Sequence, residues 1–166
     1  MKRKIEERLS KVLGQPFLSI GRAGNLLWLC FGENIVVRDR NGNEKTKSTY
    51  ALNIQCAWRV IKENKIIVAS GDFYLPKTGM SGDDAFEWDK IRVNRFDEKI
   101  DELKKAMVSE MIINGVLGDE IGGLCISFDS GIKLEIFPND SLEDEFWRFI
   151  EFDGQNSEHF VVFDKD

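Results

Sequence analysis

The chain has 166 residues, a length that fits one domain and leaves room for at most two very small ones. Its 42% hydrophobic and 31% charged residues are typical of a folded globular protein and argue against a disordered chain. The net charge of −6 argues against nucleic-acid and membrane partners, because an acidic surface repels phosphate groups and attracts basic proteins.

The charge is distributed unevenly along the sequence. Residues 1–11 carry five basic and two acidic residues, whereas residues 117–166 carry thirteen acidic and three basic residues. Most acids of the second segment alternate with apolar residues, which predicts that they lie on the wet face of a sheet. Such a face suits a basic protein partner, and solubility is the simpler explanation of the same charge.

The chain lacks the segments that direct a protein out of the cytoplasm. Its positively charged start is not followed by the apolar run of a signal peptide, and its apolar stretches have the length of strands. We therefore expect a cytoplasmic protein. Cys30, Cys56 and Cys125 are widely spaced within apolar runs, which predicts buried thiols and no disulfide.

The first half of the chain is predicted to form one helix followed by short strands. Ile5, Leu9 and Val12 recur at helical spacing, which predicts a helix over residues 1–13 that ends at Gly14. Apolar and alternating runs then predict strands, with a polar turn over residues 39–45. These strands cover residues 17–22, 25–31, 34–38, 50–58, 66–70 and 72–76.

The second half repeats this order. Phe96, Ile100, Leu103 and Met107 form one helical stripe, with acids in the first turn and lysines in the last. Strands are predicted at residues 108–116, 121–128, 131–137, 145–152 and 158–163. Short connections without regular strand–helix alternation predict a single α+β domain over residues 1–166. We expect a mostly antiparallel β-sheet meander with an N-terminal helix and one central helix packed on it.

Residues 76–91 form the longest segment without a helical or strand period. Long loops within compact domains are often functional, and this one places aromatic residues among acids. It is therefore the candidate partner-binding segment, with Asp83, Asp84, Phe86, Glu87 and Trp88 as its contact residues. The alternative is that Phe86 and Trp88 fold back over the core as a lid.

No catalytic or metal-binding constellation stands out from the sequence. His159 is the only histidine, so any histidine-based acid–base pair must use it. One histidine and scattered cysteines give no zinc spacing, and no phosphate-binding loop or other cofactor motif is present. A pocket lined by Trp58, Arg59 and His159 is the remaining possibility, although Arg59 is more simply expected to pair with an acid.

Two groups of short segments carry a family resemblance. The first is Leu52–Val60 with Ile67–Asp72, and the second combines Leu134–Asn139, Glu145–Phe149 and His159–Val162. These segments resemble small bacterial proteins from uncharacterised and polymorphic-toxin immunity families. The resemblance implies a central strand pair joined to a C-terminal meander in a bacterial cytosolic protein. It also implies a toxin-neutralising role, and it carries no catalytic residues.

Three functions follow as expectations. The first is a non-catalytic protein-binding module, in its most specific form an immunity-type protein that neutralises a basic toxin through an acidic surface. The second is a small-molecule-binding protein or small enzyme with a pocket near Trp58, Arg59 and His159. The third is a structural homo-oligomer that pairs through an exposed strand edge.

Overall fold

The computed structural model describes residues 1–38, 41–80, 86–106, 111–141 and 143–163. This part of the chain forms helices α1 (Lys2–Leu9) and α2 (Arg95–Ala106) and two 3₁₀ turns, Ser10–Val12 and Ser70–Tyr74. The strands are β1 (Phe17–Ala23), β2 (Leu26–Arg38), β3 (Glu44–Ile54), β4 (Ala57–Lys62), β5 (Lys65–Ala69), β6 (Ile113–Gly118), β7 (Leu124–Phe128), β8 (Ile132–Phe137), β9 (Glu145–Phe152) and β10 (Ser157–Phe163). No helix in these ranges is long and apolar enough to cross a membrane.

The strands form two antiparallel sheets, which confirms the predicted α+β class. The first sheet has the order β1-β2-β3-β9-β10, and the second has the order β5-β4-β8-β7-β6. The strand order is therefore not that of one continuous meander, because β3 pairs with β9 across a long stretch of sequence. Each sheet combines strands from the two halves of the chain.

The passage from the first sheet to the second is a corner at Gln55 and Cys56. The sequence predicts one strand over residues 50–58, but the structure divides it into β3 and β4. The backbone N–H groups of Gln55 and Cys56 both donate to the Phe146 carbonyl, at 2.9 and 3.1 Å. This shared acceptor takes both residues out of the ladder, so the chain turns from one sheet into the other.

The core lies between the two sheets. In β8, Ile132, Leu134 and Ile136 are buried while Lys133 and Glu135 point outward, as the alternation predicted. The buried side chains of both sheets and both helices belong to one cluster. Hydrophobic contact across the sheets is therefore the main force that holds the fold together.

Helix α1 lies over the gap between β6 and the strands β9 and β10. Its stripe of Ile5 and Leu9 is buried as predicted, and Gly118 of β6 allows the close approach of Ile5. A Cβ atom on Gly118 would lie 2.9 Å from Ile5 Cγ2. On the other side, Lys11 forms an ion pair with Glu151 at 2.5 Å. The helix thus links the two sheets.

Helix α2 buries the predicted Phe96, Ile100 and Leu103 against β5 and the turn Ser70–Tyr74. Met107, the fourth residue of the stripe, lies outside the described residues. The prediction of a strand at residues 72–76 is wrong. The Asp72 carboxylate accepts the backbone N–H of Ala69 at 2.8 Å, and this local hydrogen bond favours a 3₁₀ turn instead.

The two strands predicted at residues 25–31 and 34–38 form the single strand β2. A bulge between Phe31 and Asn34 absorbs Gly32 and Glu33 without ending the strand. The predicted turn over residues 39–45 is shorter than expected, because β3 already begins at Glu44. Residues 34–38 and 44–48 consequently pair as a two-stranded extension beyond β1.

Candidate functional site

An aromatic pair lies at the surface where loop 86–92 meets the turn Ser70–Tyr74. The rings of Tyr74 and Trp88 have their centroids 5.2 Å apart at an angle of 56°. Trp88 is half-buried, whereas 51% of Tyr74 is exposed. The side-chain amide of Asn25 donates to the Tyr74 hydroxyl at 3.3 Å. Trp88 therefore packs on a surface ring, and the pair presents one aromatic face to solvent.

A buried ion pair beneath the loop fixes its backbone. Arg22 of β1 donates from Nε and Nη2 to the two carboxylate oxygens of Asp97, both at 2.9 Å. Only 5% of the Arg22 side chain and 13% of the Asp97 side chain are exposed. The same guanidinium donates to the carbonyls of Asp89 and Lys90, at 3.3 and 2.6 Å. The loop is thus tied directly to the first sheet.

The pKa of Asp97 is shifted by its burial and by its hydrogen bonds. Burial is the largest influence and by itself would raise the pKa of this carboxyl group. The hydrogen bonds from the Arg22 guanidinium and the Arg92 backbone N–H act in the opposite direction, and the pKa of Asp97 ends below its ordinary value. Asp97 is therefore ionised at neutral pH, where its charge holds the N-terminus of α2.

Asn94 provides a second anchor for the same loop. It is fully buried, and its Nδ2 donates to the Trp88 carbonyl at 2.8 Å. Its Oδ1 accepts the backbone N–H of Asp97 at 3.0 Å, the hydrogen bond of an N-cap residue at the start of α2. Asn94 thereby connects Trp88 with a helix terminus. The aromatic pair is held in place before any partner arrives.

Two adjoining grooves extend from the aromatic pair around the corner between the sheets. Their volumes are about 370 and 240 Å³, and they share Gln55, Cys56 and Asp140. Asp144 and Glu145 line the larger groove, and Asn25 and Tyr74 line the smaller one. We call the two grooves and the Tyr74–Trp88 pair the corner surface. Among the described residues that line the grooves there is no lysine or arginine.

The acidic surface is more restricted than the sequence suggests. Several acids of the C-terminal segment form ion pairs, including two with the basic helix at the other end of the sequence. These pairs are Glu151 with Lys11, Glu158 with Arg8, Glu135 with Arg59 and Glu145 with Arg148. Asp140 and Asp144 are exposed residues that line the larger groove. The corner surface therefore combines exposed carboxylates with an aromatic anchor.

Trp58, Arg59 and His159 do not line a common pocket, so this part of the prediction is wrong. Trp58 is 1% exposed and contacts the rings of Phe73 and Phe96 in the core. Arg59 lies on the outer face of the same strand, with Glu135 at 2.5 Å, as the expected structural pair. His159 lies in β10 of the other sheet. Successive residues of a strand point to opposite faces, which separates Trp58 from Arg59.

The hydrogen bonds of His159 argue against proton abstraction from its nearest hydroxyl. Arg148 Nη1 lies 3.0 Å from His159 Nδ1, and arginine can only donate. Nδ1 is therefore the acceptor, which leaves the hydrogen of a neutral ring on Nε2. That nitrogen lies 3.1 Å from Ser157 Oγ and donates to it. The pair lacks the acceptor nitrogen that a serine nucleophile requires.

Cys56 and Cys125 show no sign of activation. Cys56 is 8% exposed, and burial raises the pKa of its thiol to about 12. Burial also raises the pKa of Cys125, and all three cysteines are free thiols. A thiol of high pKa is a poor nucleophile and a poor metal ligand. In the described ranges, no group of three or more His, Cys, Asp or Glu side chains could hold a metal ion.

Sequence reasoning identified only part of the corner surface. Of the residues predicted to contact a partner, Trp88 belongs to it, Phe86 is half-buried, and Glu87 is exposed and pairs with Lys90 at 2.8 Å. Asp83 and Asp84 lie outside the described residues. Tyr74, Asp140 and Asp144 were missed because no local pattern shows that their segments meet.

One hydrogen bond joins two of the distant segments that form the corner surface. The Ala57 N–H donates to Asn139 Oδ1 at 3.0 Å, which joins the corner to the loop that carries Asp140. These two residues are 82 positions apart, so no local sequence signal could indicate that they meet.

Comparisons with protein-family models, with curated proteins and with solved structures find no match for this chain.

Proposed function

We propose that the protein is a non-catalytic binding module that engages a basic protein through the corner surface. The observation that carries this proposal is the Tyr74–Trp88 pair, held on an anchored loop beside grooves lined by carboxylates. Aromatic side chains supply most of the energy at many protein interfaces, and neighbouring charges select the partner.

The anchoring of the loop supports a binding role on energetic grounds. A flexible loop loses conformational freedom when it binds, and that loss weakens the complex. Here the Arg22–Asp97 pair and Asn94 order the backbone of residues 88–92 in the isolated chain. Binding would therefore not have to order this loop, and the contacts of the aromatic pair would contribute fully to affinity.

The charge of the corner surface indicates the chemistry of the partner. Asp140 and Asp144 are exposed and line the larger groove, so a lysine or arginine side chain of a partner that enters the groove would meet acidic side chains. Long-range attraction between an acidic surface and a basic one also raises the association rate. A protein with a positively charged functional groove is therefore the best match.

The most specific form of the proposal is an immunity-type role, in which the protein neutralises a basic toxin. This form of the proposal rests on the expected resemblance of residues 52–60 and 145–149 to immunity-type proteins. It is supported by the position of residue 55 and residue 145, one from each segment, in the same groove. A toxin that acts on nucleic acid carries a basic substrate groove, and an acidic cap would block that groove.

Affinity capture with matched variants tests the binding proposal. Tagged protein expressed in its native host should retain a basic partner, and Tyr74→Ala/Trp88→Ala should reduce capture at least about tenfold. Asp140→Asn/Asp144→Asn should reduce it similarly at low salt and less at high salt, because screening weakens charge attraction. Glu102→Gln and Ile66→Ala change exposed residues away from the corner and should capture normally.

Three outcomes decide between the forms of the proposal. If both corner variants capture the partner as well as the wild type does, the binding site is not at the corner surface. The same conclusion follows if salt does not affect capture. The immunity-type role is tested with a toxin encoded by the neighbouring gene. Co-expression of the wild-type protein should protect cells from growth inhibition by that toxin, and co-expression of the Tyr74→Ala/Trp88→Ala variant should not. If the protein captures a partner but does not protect growth, the immunity-type role is refuted and the binding function stands.

A further inference from the structure

A second concave surface lies between α2 and the outer part of β1 and β2. This groove has a volume of about 300 Å³, and Ile20, Gly21, Trp28, Phe96 and Ile100 line it together with Ile91 and five charged residues. Its lining shares no residue with the grooves of the corner surface. The groove is apolar at its floor, so it suits an aliphatic side chain better than a charged one.

The floor of the groove has a fixed shape. The indole of Trp28 lies directly over Gly21 in the neighbouring strand, and a Cβ atom on Gly21 would clash with the ring. Phe96 and Ile100 of α2 form the opposite wall and are 1% and 3% exposed. Both walls belong to regular elements, so the groove persists in the isolated chain.

Ile91 projects beside this groove. It is 78% exposed, an unusual exposure for a large apolar residue. The next residue, Arg92, has a φ of 68°, which non-glycine residues rarely adopt. The Arg92 N–H donates to Asp97 at 2.6 Å, and the Lys90 carbonyl accepts from Arg22 at 2.6 Å. The buried ion pair thus holds Ile91 outward.

We propose that this groove is the contact surface of a symmetric homodimer, in which Ile91 of each copy enters the groove of the other. A two-fold interface requires that a projection and a complementary hollow lie on the same face of one chain. Ile91 and the groove meet this requirement, because Ile91 forms part of the groove's rim.

The charges of the rim support a second copy as the occupant. Arg92, Asp101 and Lys104 are all exposed at the edge of the groove, and they include both signs. When two identical rims meet about a two-fold axis, the acid of one copy can face a cation of the other. A rim of mixed charge is therefore complementary to itself, whereas the acidic corner surface is not.

Sedimentation equilibrium tests this proposal without any partner protein. We expect the wild type to dimerise within a concentration range of about 1–100 µM, and Ile91→Asp to raise the dimer dissociation constant at least about 100-fold. Ile66→Asp changes another exposed isoleucine, on β5 and away from the groove, and should alter the constant less than about threefold. Both variants are at exposed positions, so circular dichroism should show a native fold.

Rim charge provides an independent variant. Asp101→Lys leaves cations at all three exposed rim positions, 92, 101 and 104, so the dimer should weaken at low salt and recover as salt screens the repulsion. A wild type that stays monomeric at about 100 µM would overturn the proposal. A dimer that Ile91→Asp leaves intact would also overturn it and would assign association to another surface, such as the edges of the β2–β3 extension.

The corner and the groove can be tested separately. Tyr74→Ala/Trp88→Ala should leave the dimer constant unchanged, because neither residue lines the groove. If the wild type is monomeric and Ile91→Asp instead loses the captured partner, the groove receives a side chain of that partner. That result would refute the homodimer and would leave the proposed binding function in place.

Discussion

Replacing Asp97 with alanine should lower the free energy of unfolding by about 3 kcal/mol or more, as expected when one member of a buried ion pair is removed. Arg22 would keep a positive charge at a position where only 5% of its side chain reaches solvent. The Arg92 N–H would lose its carboxylate acceptor as well. Urea denaturation followed by tryptophan fluorescence measures the change.

The surface pair on the same helix is the matched control. Lys99 and Glu102 form an ion pair at 2.9 Å, and the Glu102 side chain is 58% exposed. Glu102→Ala should cost no more than about 0.5 kcal/mol, because solvent screens an exposed pair. Arg22→Met/Asp97→Leu should recover part of the stability lost by Asp97→Ala, because it leaves no buried charge without a partner. Equal losses for Asp97→Ala and Glu102→Ala would show that burial adds nothing.

The stability that the Asp97 carboxylate contributes should depend on pH in a defined direction. The folded pKa of Asp97 lies below its ordinary value of 3.8, so its ionised form stabilises the folded state. This contribution is complete above the unfolded pKa and is lost as the pH falls through the lower folded pKa. The stability difference between wild type and Asp97→Asn should therefore be constant near neutral pH and shrink below about pH 4. A difference that grows on acidification would contradict the assignment.

Trp147→Ala should lower the free energy of unfolding by about 4 kcal/mol, a typical cost of emptying a large buried aromatic site. Trp147 of β9 is fully buried, and its Nε1 donates to the Gly122 carbonyl at 2.7 Å. Trp147→Phe keeps much of the ring and removes this donor, so it should cost about 1–3 kcal/mol through the carbonyl left without a partner. Thermal and urea unfolding of both variants measure the two contributions.

Trp88 is the appropriate comparison for Trp147. It is half-buried at the corner surface, so Trp88→Ala should cost clearly less stability while it removes partner binding. This pair of variants separates a structural tryptophan from a functional one. A Trp88→Ala variant as unstable as Trp147→Ala would show that Trp88 serves the fold, and the corner surface would lose its aromatic anchor as a functional residue.

The two helices could be predicted from the sequence because helical periodicity is a local signal. Ile5, Leu9 and Val12 in the first segment, and Phe96, Ile100 and Leu103 in the second, are spaced by four and three residues, which places each set on one face of a helix, and all six are buried. The corner at residues 55 and 56 could not be predicted in this way. Strand patterns on its two sides are alike, and the hydrogen bonds that produce the turn come from Phe146, far along the sequence.

The candidate site shows the same limit. The composition of residues 76–91 predicts Trp88 as an anchor, since the segment places aromatic residues among acids in a long loop. The grooves beside it arise where segments around residues 25, 55, 74 and 140 meet, and only the sheet topology specifies that meeting. The rejected pocket is different, because adjacent strand residues such as Trp58 and Arg59 already point to opposite faces on sequence grounds alone.

The ion pairs between residues 8–11 and the strands β9 and β10 have a consequence for biosynthesis. Helix α1 is synthesised long before β9 and β10, yet Arg8 of α1 and Lys11 of the following 3₁₀ turn pair with Glu158 of β10 and Glu151 of β9. β3 likewise pairs with β9 only after most of the chain has been made. Because such distant contacts must form late, we expect the nascent chain to stay incompletely folded until β9 and β10 have been synthesised. During that interval the apolar faces of α1 and of the early strands would depend on chaperones for protection against aggregation.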